Sequence, residues 1–453
     1  MTRMFLSTLA GDFIRFAAAV LATFTMGTSA ALAGSGTPNH PPTPIDDSEL
    51  QVLQLQFGGA SPPQTTRTVP HWSGSILDPH NGVTYGFNMV GVNPYSCSGF
   101  ACDFTVEVDV TPLIVNIDGM TFNGMDVIPA LLNSPIFAAN DYSSTPIVSA
   151  GVPPFLTRGP GGPLSQADAG QHLQLLDAQM RAQFNKTGAS NYHLRLHPNI
   201  LPPVTIDVPS NLGILFKSRR GLVFGGADQQ FWFPQIENLL TQADPTHLAL
   251  YLTDDVLIYA KGRTGNIFCC TTGYHAVKST GHNIAGAADS QGNAPLNTFA
   301  FASWLSPALF VSWHFQDVNT VSHELSEWAN DPFATNHVEP WGPPLGAPGN
   351  VCLSNFLEVG DVVGTSGYAM GTNTFRQGPN PDGSQKADGY YHPQDEAFVP
   401  WFMRLSPNLV SEPTQTPSPN IGRYSFMGNL NEFNTTNQPA SACIVTEATF
   451  IGR

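Results

Sequence analysis

The stretch VSHELSEWANDP, residues 321–332, determines the fold that the sequence predicts. It follows several short apolar or alternating segments of the kind that form strands. A helix is expected over residues 318–329, with Asp317 or Asn319 available as N-cap and with the dipeptide Asp331-Pro332 as its end. We therefore predict a sheet that packs on this helix.

The helix carries three ionisable side chains in five residues. His323 and Glu327 are four residues apart and lie on one helix face, where an imidazole and a carboxylate can bind one cation. Glu324 has the position of the general base in the HExxH zinc hydrolases. The motif here is HExxE, with Glu327 in place of the second histidine. A solvated polar face is the other interpretation of the same residues.

A zinc hydrolase site needs a third protein ligand and an open position for water. Glu358 and Asp361, in the segment EVGD, are candidates downstream of the helix, and His275 is a candidate upstream. We favour Glu358 or Asp361. The expected cofactor is a divalent metal, zinc by the spacing of the motif, although a carboxylate-rich shell also suits calcium.

Strands and one further helix are predicted in the rest of the chain. Residues 84–117 contain alternating segments, and short apolar runs follow at 213–216, 247–259, 273–277 and 298–301. Apolar residues at spacings of three and four predict an amphipathic helix, which contains Leu173, Leu176, Met180 and Phe184.

The predicted fold class is α+β. We expect a strand-rich N-terminal part with one amphipathic helix over residues 67–210. A metal-site domain should follow over residues 211–453, built as a zincin-like mixed sheet packed on the HExxE helix.

The N-terminus has the pattern of an export signal. Two arginines precede an apolar run at residues 16–26, and Ala31-Leu32-Ala33 fits a cleavage site, so residues 1–33 are predicted to be a signal peptide. The run is shorter than the roughly 20 residues that span a bilayer. A flexible leader rich in Gly, Pro, Ser and Thr is expected over residues 34–66. We predict a secreted protein, extracellular or periplasmic, with no membrane span in the mature chain.

The charge balance bears on the partners of the protein. The chain has 34 acidic and 18 basic residues, a net charge of −16, which repels phosphate backbones and argues against nucleic acid as a partner. Only 11% of the residues are charged, so the three ionisable groups of the HExxE motif stand out.

Six cysteines in a chain with an export signal predict disulfides. Cys97 and Cys102 enclose a short loop and are expected to pair. Adjacent cysteines seldom pair with each other because their ring is strained, so Cys269 and Cys270 are each expected to pair with Cys352 or Cys443.

Several spaced motifs resemble the phosphate-induced, or Exordium-like, family and its bacterial secreted relatives. The motifs are CCTTGYH at residues 269–275, HELSE at 323–327 with Asp331-Pro332, Trp341, EVGD at 358–361 and FVPWF at 398–402. The resemblance implies secretion. It also implies an HExxE-like helix followed by an acidic Glu-x-Gly-Asp segment, an arrangement similar to that of a metallopeptidase site. The family pattern has a cysteine just after that segment, whereas Cys352 precedes it here.

These observations predict a secreted metal-dependent hydrolase that is metallopeptidase-like. His323 and Glu327 would bind the ion, Glu358 or Asp361 would complete the shell, and Glu324 would activate water. The substrate would be a peptide or another extracellular or cell-wall component. The alternative is a non-catalytic, Exordium-like cell-surface or binding protein with a vestigial site, or with a structural site closed by a fourth protein ligand.

Overall fold

Strands dominate the part of the chain that the structure describes. The computed structural model describes residues 34–45, 66–141, 172–186, 190–262, 264–279, 294–307, 309–310, 314–341, 354–364, 366–376, 389–405 and 424–426. Strands make up about 41% of the structure and helices about 19%, which confirms the strand-rich mixture of α and β that the sequence predicts. The predicted signal peptide lies outside the described residues.

Two sheets contain most of the strands. The larger has eight strands: β1 (Gly34–Gly36), β5 (Asp103–Ile117), β6 (Met120–Asn123), β9 (His193–Ile200), β10 (Val204–Asp207), β13 (Leu248–Asp254), β16 (Gly273–Ser279) and β17 (Leu296–Trp304). The smaller has five: β2 (Thr43–Pro44), β11 (Gly213–Lys217), β12 (Val223–Asp228), β14 (Val256–Lys261) and β15 (Ile267–Thr271).

Three strand pairs, five α-helices and three short 3-10 helices, at Gly99–Cys102, Gly124–Val127 and Asp361–Val363, complete the described elements. The pairs are β3 (His71–Leu77) with β4 (Thr84–Val90), β7 (Asn140–Asp141) with β8 (His172–Leu173), and β18 (His337–Trp341) with β19 (Ser354–Phe356). The helices are α1 (Ile128–Asn133), α2 (Leu175–Gln183), α3 (Gln229–Leu240), α4 (Asn319–Asn330) and α5 (Val399–Phe402).

The long strand β5 organises the eight-stranded sheet. It pairs in parallel with β9, β10 and β13, and antiparallel with β6. Beyond β13 come β17, which is parallel to it, and then β16, which is antiparallel to β17. Strands from both sides of residue 210 therefore belong to one sheet.

Part of the segment predicted as a leader contacts these sheets. Residues 34–36 form β1 and pair with β6, and residues 43–44 form β2 and pair with β11. Residues 46–65 of the same segment lie outside the described residues.

The alternation of side chains gives the larger sheet two apolar faces. In β13, Leu250 and Leu252 point to a core that also contains Val321, Leu325 and Trp328 of α4. Their neighbours Ala249 and Tyr251 point to the opposite core, where α3 contributes Trp232, Ile236 and Leu240. The sheet is therefore covered by helices on both faces, and α4 lies against β16 and β17.

The predicted helix at residues 318–329 is confirmed as α4, one residue further along the chain. Its N-cap residue is Val318, so the prediction that Asp317 or Asn319 caps the helix is wrong. The Asp317 carboxylate instead accepts hydrogen bonds from the backbone N–H groups of Val318 and His392. At the other end, Asp331 is the C-cap and accepts from two following backbone N–H groups.

One predicted disulfide is confirmed and the others are not. Cys97 is bonded to Cys102. Cys269 is bonded to Cys270, so the prediction that each pairs with a distant cysteine is wrong. Both side chains are buried in one apolar cluster. Cys352 and Cys443 lie outside the described residues.

Among the described residues, no helix is both long and apolar enough to cross a bilayer.

A buried ion pair joins the end of β13 to a distant segment. Arg376 donates two hydrogen bonds of 2.6 Å to the two carboxylate oxygens of Asp254, whose side chain is fully buried. A two-pronged pair of this kind fixes the relative orientation of both groups. The part of the chain around Arg376 is thereby anchored to the sheet.

Arg376→Leu should lower the free energy of unfolding by about 3 kcal/mol or more, because it leaves the Asp254 carboxylate buried without its partner. Arg195 is a matched control, since its ion pair with Asp103 is about 40% exposed on both sides. Arg195→Leu should change the stability by less than about 1 kcal/mol. Equilibrium unfolding in guanidinium, followed by tryptophan fluorescence, measures both. Equal losses for the two variants would contradict the role of the buried pair.

Candidate metal centre

Helix α4 presents one polar and one apolar side to the molecule. Val321, Leu325 and Trp328 are buried in the core, and the Trp328 indole donates a hydrogen bond to the Thr298 hydroxyl of β17. These contacts fix the rotation of the helix about its axis. As a result His323 and Glu327, four residues apart, lie on the side that faces the segment after β19, and their side chains meet at 3.1 Å.

The segment after β19 contacts the helix through its backbone. The N–H groups of Gly360 and Asp361 donate to Oε1 of Glu327 at 3.2 and 3.1 Å. On its other side the Gln394 amide donates to the carbonyl of Gly360, and the Gln394 backbone N–H donates to the Ser322 hydroxyl. These bonds hold the EVGD segment, with Glu358 and Asp361, beside α4.

Strand β16, the last strand of its sheet in the described part of the chain, supplies the remaining histidine. Tyr274 and Ala276 of β16 point to the core that contains α3. By the alternation of the strand, His275 points to α4. Its Nδ1 atom lies 3.5 Å from Oε2 of Glu327 and 3.7 Å from Oε2 of Glu324.

Two glycines permit the close approach of these segments. A Cβ atom at Gly273 in β16 would lie 2.6 Å from Oε1 of Glu324. A Cβ atom at Gly360 would lie 2.6 Å from Nδ1 of His323. Both distances are too short for a real side chain, so only glycine allows the strand and the loop to pack directly on the two ionisable groups.

The structure thus brings six ionisable side chains together from three parts of the chain. We call this set the site cluster: His275, His323, Glu324, Glu327, Glu358 and Asp361. All five residues predicted from the sequence are in it, and so is the upstream candidate His275.

One group of potential ligands is the His323 triad, which consists of His323, Glu327 and Asp361. The Nε2 atom of His323 lies 3.1 Å from Oε2 of Glu327 and 3.5 Å from Oδ1 of Asp361. Ligands around a tetrahedral zinc ion, with bonds of about 2.0–2.2 Å, lie roughly 3.4 Å apart. The two distances are close to that value.

A second group, the His275 triad, consists of His275, Glu327 and Glu358. Its potential ligand atoms lie within 4.8 Å of one another, and all three residues are buried. Glu358 and Asp361 were alternatives for a single third ligand. The structure places one of them in each triad, with Glu327 shared.

Glu324 lies beside both triads without belonging to either. Its Oε1 atom is 4.0 Å from Nε2 of His323, and its Oε2 atom is 3.7 Å from Nδ1 of His275. Both distances are longer than those from the same two histidines to Glu327. The Glu324 carboxylate would therefore lie next to an ion held by either triad.

Burial makes the charges of the site cluster interact strongly. Glu324, Glu327 and Glu358 are each less than 7% exposed. The side chains of His323 and Asp361 are 17% and 12% exposed, so the solvent reaches the cluster on their side. Among the described residues, the ion pairs of lysine and arginine go to other carboxylates.

The pKa values follow from this excess of acids. Burial alone would lower the pKa of His275, but the nearby carboxylates of Glu324 and Glu327 outweigh burial and raise that pKa well above its usual value. The negative charge of Glu327 likewise raises the pKa of His323 against the effect of burial. Both imidazoles are therefore held in an environment that favours positive charge.

The pKa values of the four carboxyl groups shift in different directions. Burial, reinforced by the charge of Glu327, raises the pKa of Glu358 well above its usual value and that of Asp361 to about 8. Burial also raises the pKa of Glu324. Burial opposes ionisation of Glu327 too, but the charge of His323 outweighs it and lowers the pKa of Glu327. The site cluster therefore holds more carboxyl groups than its two imidazoles can neutralise.

Sequence reasoning did not identify the residues that support the site cluster. Gly273, Gly360, Ser322 and Gln394 position it by close packing or hydrogen bonds. Gly360 lies inside the EVGD motif and could have been found from it. Gln394 is 72 residues from Ser322, and no local pattern marks it.

No family model, no curated protein and no solved structure matches the chain. The resemblance to the Exordium-like family therefore rests on the sequence motifs.

Gly360→Ala should displace the His323 ring, because the new methyl group would lie 2.6 Å from Nδ1 in a backbone conformation, φ −81°, that alanine adopts readily. Overpacking of this kind costs about 1–3 kcal/mol. Denaturant unfolding of the variant and the wild type measures the loss.

Gly364→Ala is the control in the same loop, since its methyl group would lie no closer than 3.6 Å to the Asp361 carbonyl oxygen. It should leave stability within about 0.5 kcal/mol of the wild type. If both variants behave alike, the packing of Gly360 on His323 does not constrain the site cluster.

Proposed function

We propose that the protein is a secreted metal-dependent hydrolase of the metallopeptidase type. The observation that carries the proposal is the convergence of the His323 triad at distances that suit a small divalent ion, with Glu324 beside it. A solvated polar face, the other interpretation of the HExxE motif, does not fit residues that are this deeply buried.

The donor set favours zinc over calcium. Calcium takes six to eight oxygen ligands, whereas imidazole nitrogen is a preferred ligand of zinc and similar transition metals. Each triad contains one imidazole and two carboxylates. His323, Glu327 and Asp361 would hold the ion.

Zinc in such a site polarises a carbonyl group and lowers the pKa of water. Glu324 would accept the proton of the attacking water, because its carboxylate is next to the triad and outside it. Burial raises the pKa of Glu324, which favours the later return of that proton to a leaving group. The bonds of Glu327 to Gly360 and Asp361 would hold the loop on the helix and so keep Glu324 and the triad at fixed distances from one another.

A peptide is the proposed substrate class. The HExxE helix followed by the EVGD segment is similar to a metallopeptidase site. Solvent reaches the site cluster on the side of His323 and Asp361, and a peptide would approach the triad from that side. The export pattern at residues 1–33 and the Cys97–Cys102 disulfide are consistent with a substrate outside the cytoplasm.

A non-catalytic secreted binding protein is the second candidate. The two triads together offer five protein ligands, more than the four that close a structural zinc site. In that case the ion would stabilise the contact between α4, β16 and the EVGD segment, and the resemblance to the Exordium-like family would extend to a cell-surface role.

Glu324→Gln separates the two candidates. The amide keeps the shape of the side chain and removes the proton acceptor, so we expect metal content to be retained and peptide hydrolysis to fall by about 10²- to 10⁴-fold. The measurements are elemental analysis of the purified mature protein and mass spectrometry of a broad peptide pool. Glu237→Gln, an exposed carboxylate paired with Lys278, is the control and should match the wild type.

Removal of the metal with a chelator should abolish hydrolysis in the wild type, and added zinc should restore it. Metal in the wild type without any hydrolysis of the pool would favour the binding protein. Absence of metal from a protein purified without chelators would refute the hydrolase proposal.

A further inference from the structure

The His275 triad contains polar atoms that the described protein leaves without partners. His275 and Glu358 are both 94% buried, with 6% of their surface exposed. Among the described residues, Oε2 of Glu358 and Nε2 of His275 have no hydrogen-bond partner. The His275 atom that faces the carboxylates is Nδ1, so the unpaired Oε2 of Glu358 is the atom that points to a ligand within the triad, because buried polar atoms are normally satisfied.

The carboxylate of Glu327 belongs to both triads, and its two oxygens have different contacts. Its Oε1 atom accepts the two backbone bonds from Gly360 and Asp361. Its Oε2 atom lies 3.1 Å from Nε2 of His323 and 3.5 Å from Nδ1 of His275. One oxygen therefore lies between two imidazoles, and each imidazole has a further carboxylate of its own.

A shared carboxylate between two sets of ligands is the arrangement of two-metal sites, in which the ions lie about 3.5–4 Å apart. The number of carboxylates in the site cluster also favours two ions. Glu324, Glu327, Glu358 and Asp361 would carry four negative charges when ionised, which two divalent cations would neutralise. The nearby Asp331 already accepts backbone bonds from Thr335 and Asn336.

We propose that the site cluster binds two divalent transition-metal ions, the second held by His275, Glu327 and Glu358, with Glu327 as the bridging ligand. This inference deepens the proposed function and rests on it. The second ion is of the same chemical class as the first, because each triad offers one imidazole and two carboxylates.

The position of Glu324 fits a site of this kind. Its two oxygens contact different histidines, Oε2 facing His275 and Oε1 facing His323. The carboxylate therefore lies between the two triads. From there it can accept a proton from a water placed between them.

The test is metal stoichiometry in the full-length secreted protein. Wild type, Glu358→Gln and Asp361→Asn are purified without chelators, loaded with excess Zn²⁺, desalted and analysed for zinc and protein. We expect two equivalents in the wild type and one in Glu358→Gln. Glu237→Gln, on the surface, is the control and should bind two.

The outcomes distinguish failure of the two-ion proposal from failure of the proposed function. One equivalent in the wild type, kept by Glu358→Gln and lost by Asp361→Asn, would overturn the second ion and leave the hydrolase proposal standing. No zinc in any protein would overturn both. Two equivalents in Glu358→Gln would also overturn the assignment of the second ion.

A measurement that does not need Glu358→Gln covers the case in which that variant does not fold. Protein loaded with two equivalents of Co²⁺ should show exchange coupling in electron paramagnetic resonance, since both ions contact one carboxylate oxygen. Protein loaded with one equivalent should not. Two uncoupled ions would overturn the bridge, and His275→Gln should remove the coupling and one equivalent of metal.

Discussion

The buried carboxylate of Glu327 joins three segments that are far apart in the sequence. One of its oxygens accepts the backbone N–H groups of Gly360 and Asp361, and the other faces His323 and His275. Helix α4, the EVGD segment and strand β16 therefore meet at a single side chain. A buried carboxylate is stable only when it is hydrogen-bonded and its charge is balanced, and all of these contacts contribute to that requirement.

The larger sheet makes this meeting point possible by holding α4 close. The residues of β17 that face the helix are small, Ala300 and Ala302, while Phe299 and Phe301 fill the opposite core. Gly273 does the same in β16, where Glu324 takes the space that a side chain would need. The distribution of small and large residues along adjacent strands therefore sets the distance between the helix and the sheet, and with it the spacing of the site cluster.

The sequence predicts what depends on local spacing. The helix, its HExxE face and the strands near residues 213–216, 273–277 and 298–301 are confirmed, since hydrophobic periodicity and turn residues act over short distances. Helix α3 was not predicted, because Pro234 lies inside it. Gly225 and Gly226 are typical of a turn but lie in β12, where side chains of β5 and β11 occupy the space of a Cβ atom.

What could not be predicted depends on the path of the chain. Glu358 and Asp361 are three residues apart in a loop, and the bonds of that loop to Glu327 and Gln394 place each beside a different histidine. His275 was a candidate by residue type, but its approach to α4 depends on a strand pairing with β17 that no short motif encodes.

The double role of Glu327 also determines how the site can be dissected. Any substitution there would remove a potential ligand and, at the same time, the acceptor of two backbone N–H groups that holds the EVGD segment in place. Loss of metal in such a variant could not be separated from displacement of the loop. Glu358 and Asp361 each belong to one triad, and no described hydrogen bond to the backbone depends on their side chains. Their amide variants therefore change the ligand set while the loop keeps its anchor on the helix, and they are the positions at which metal chemistry and folding can be told apart.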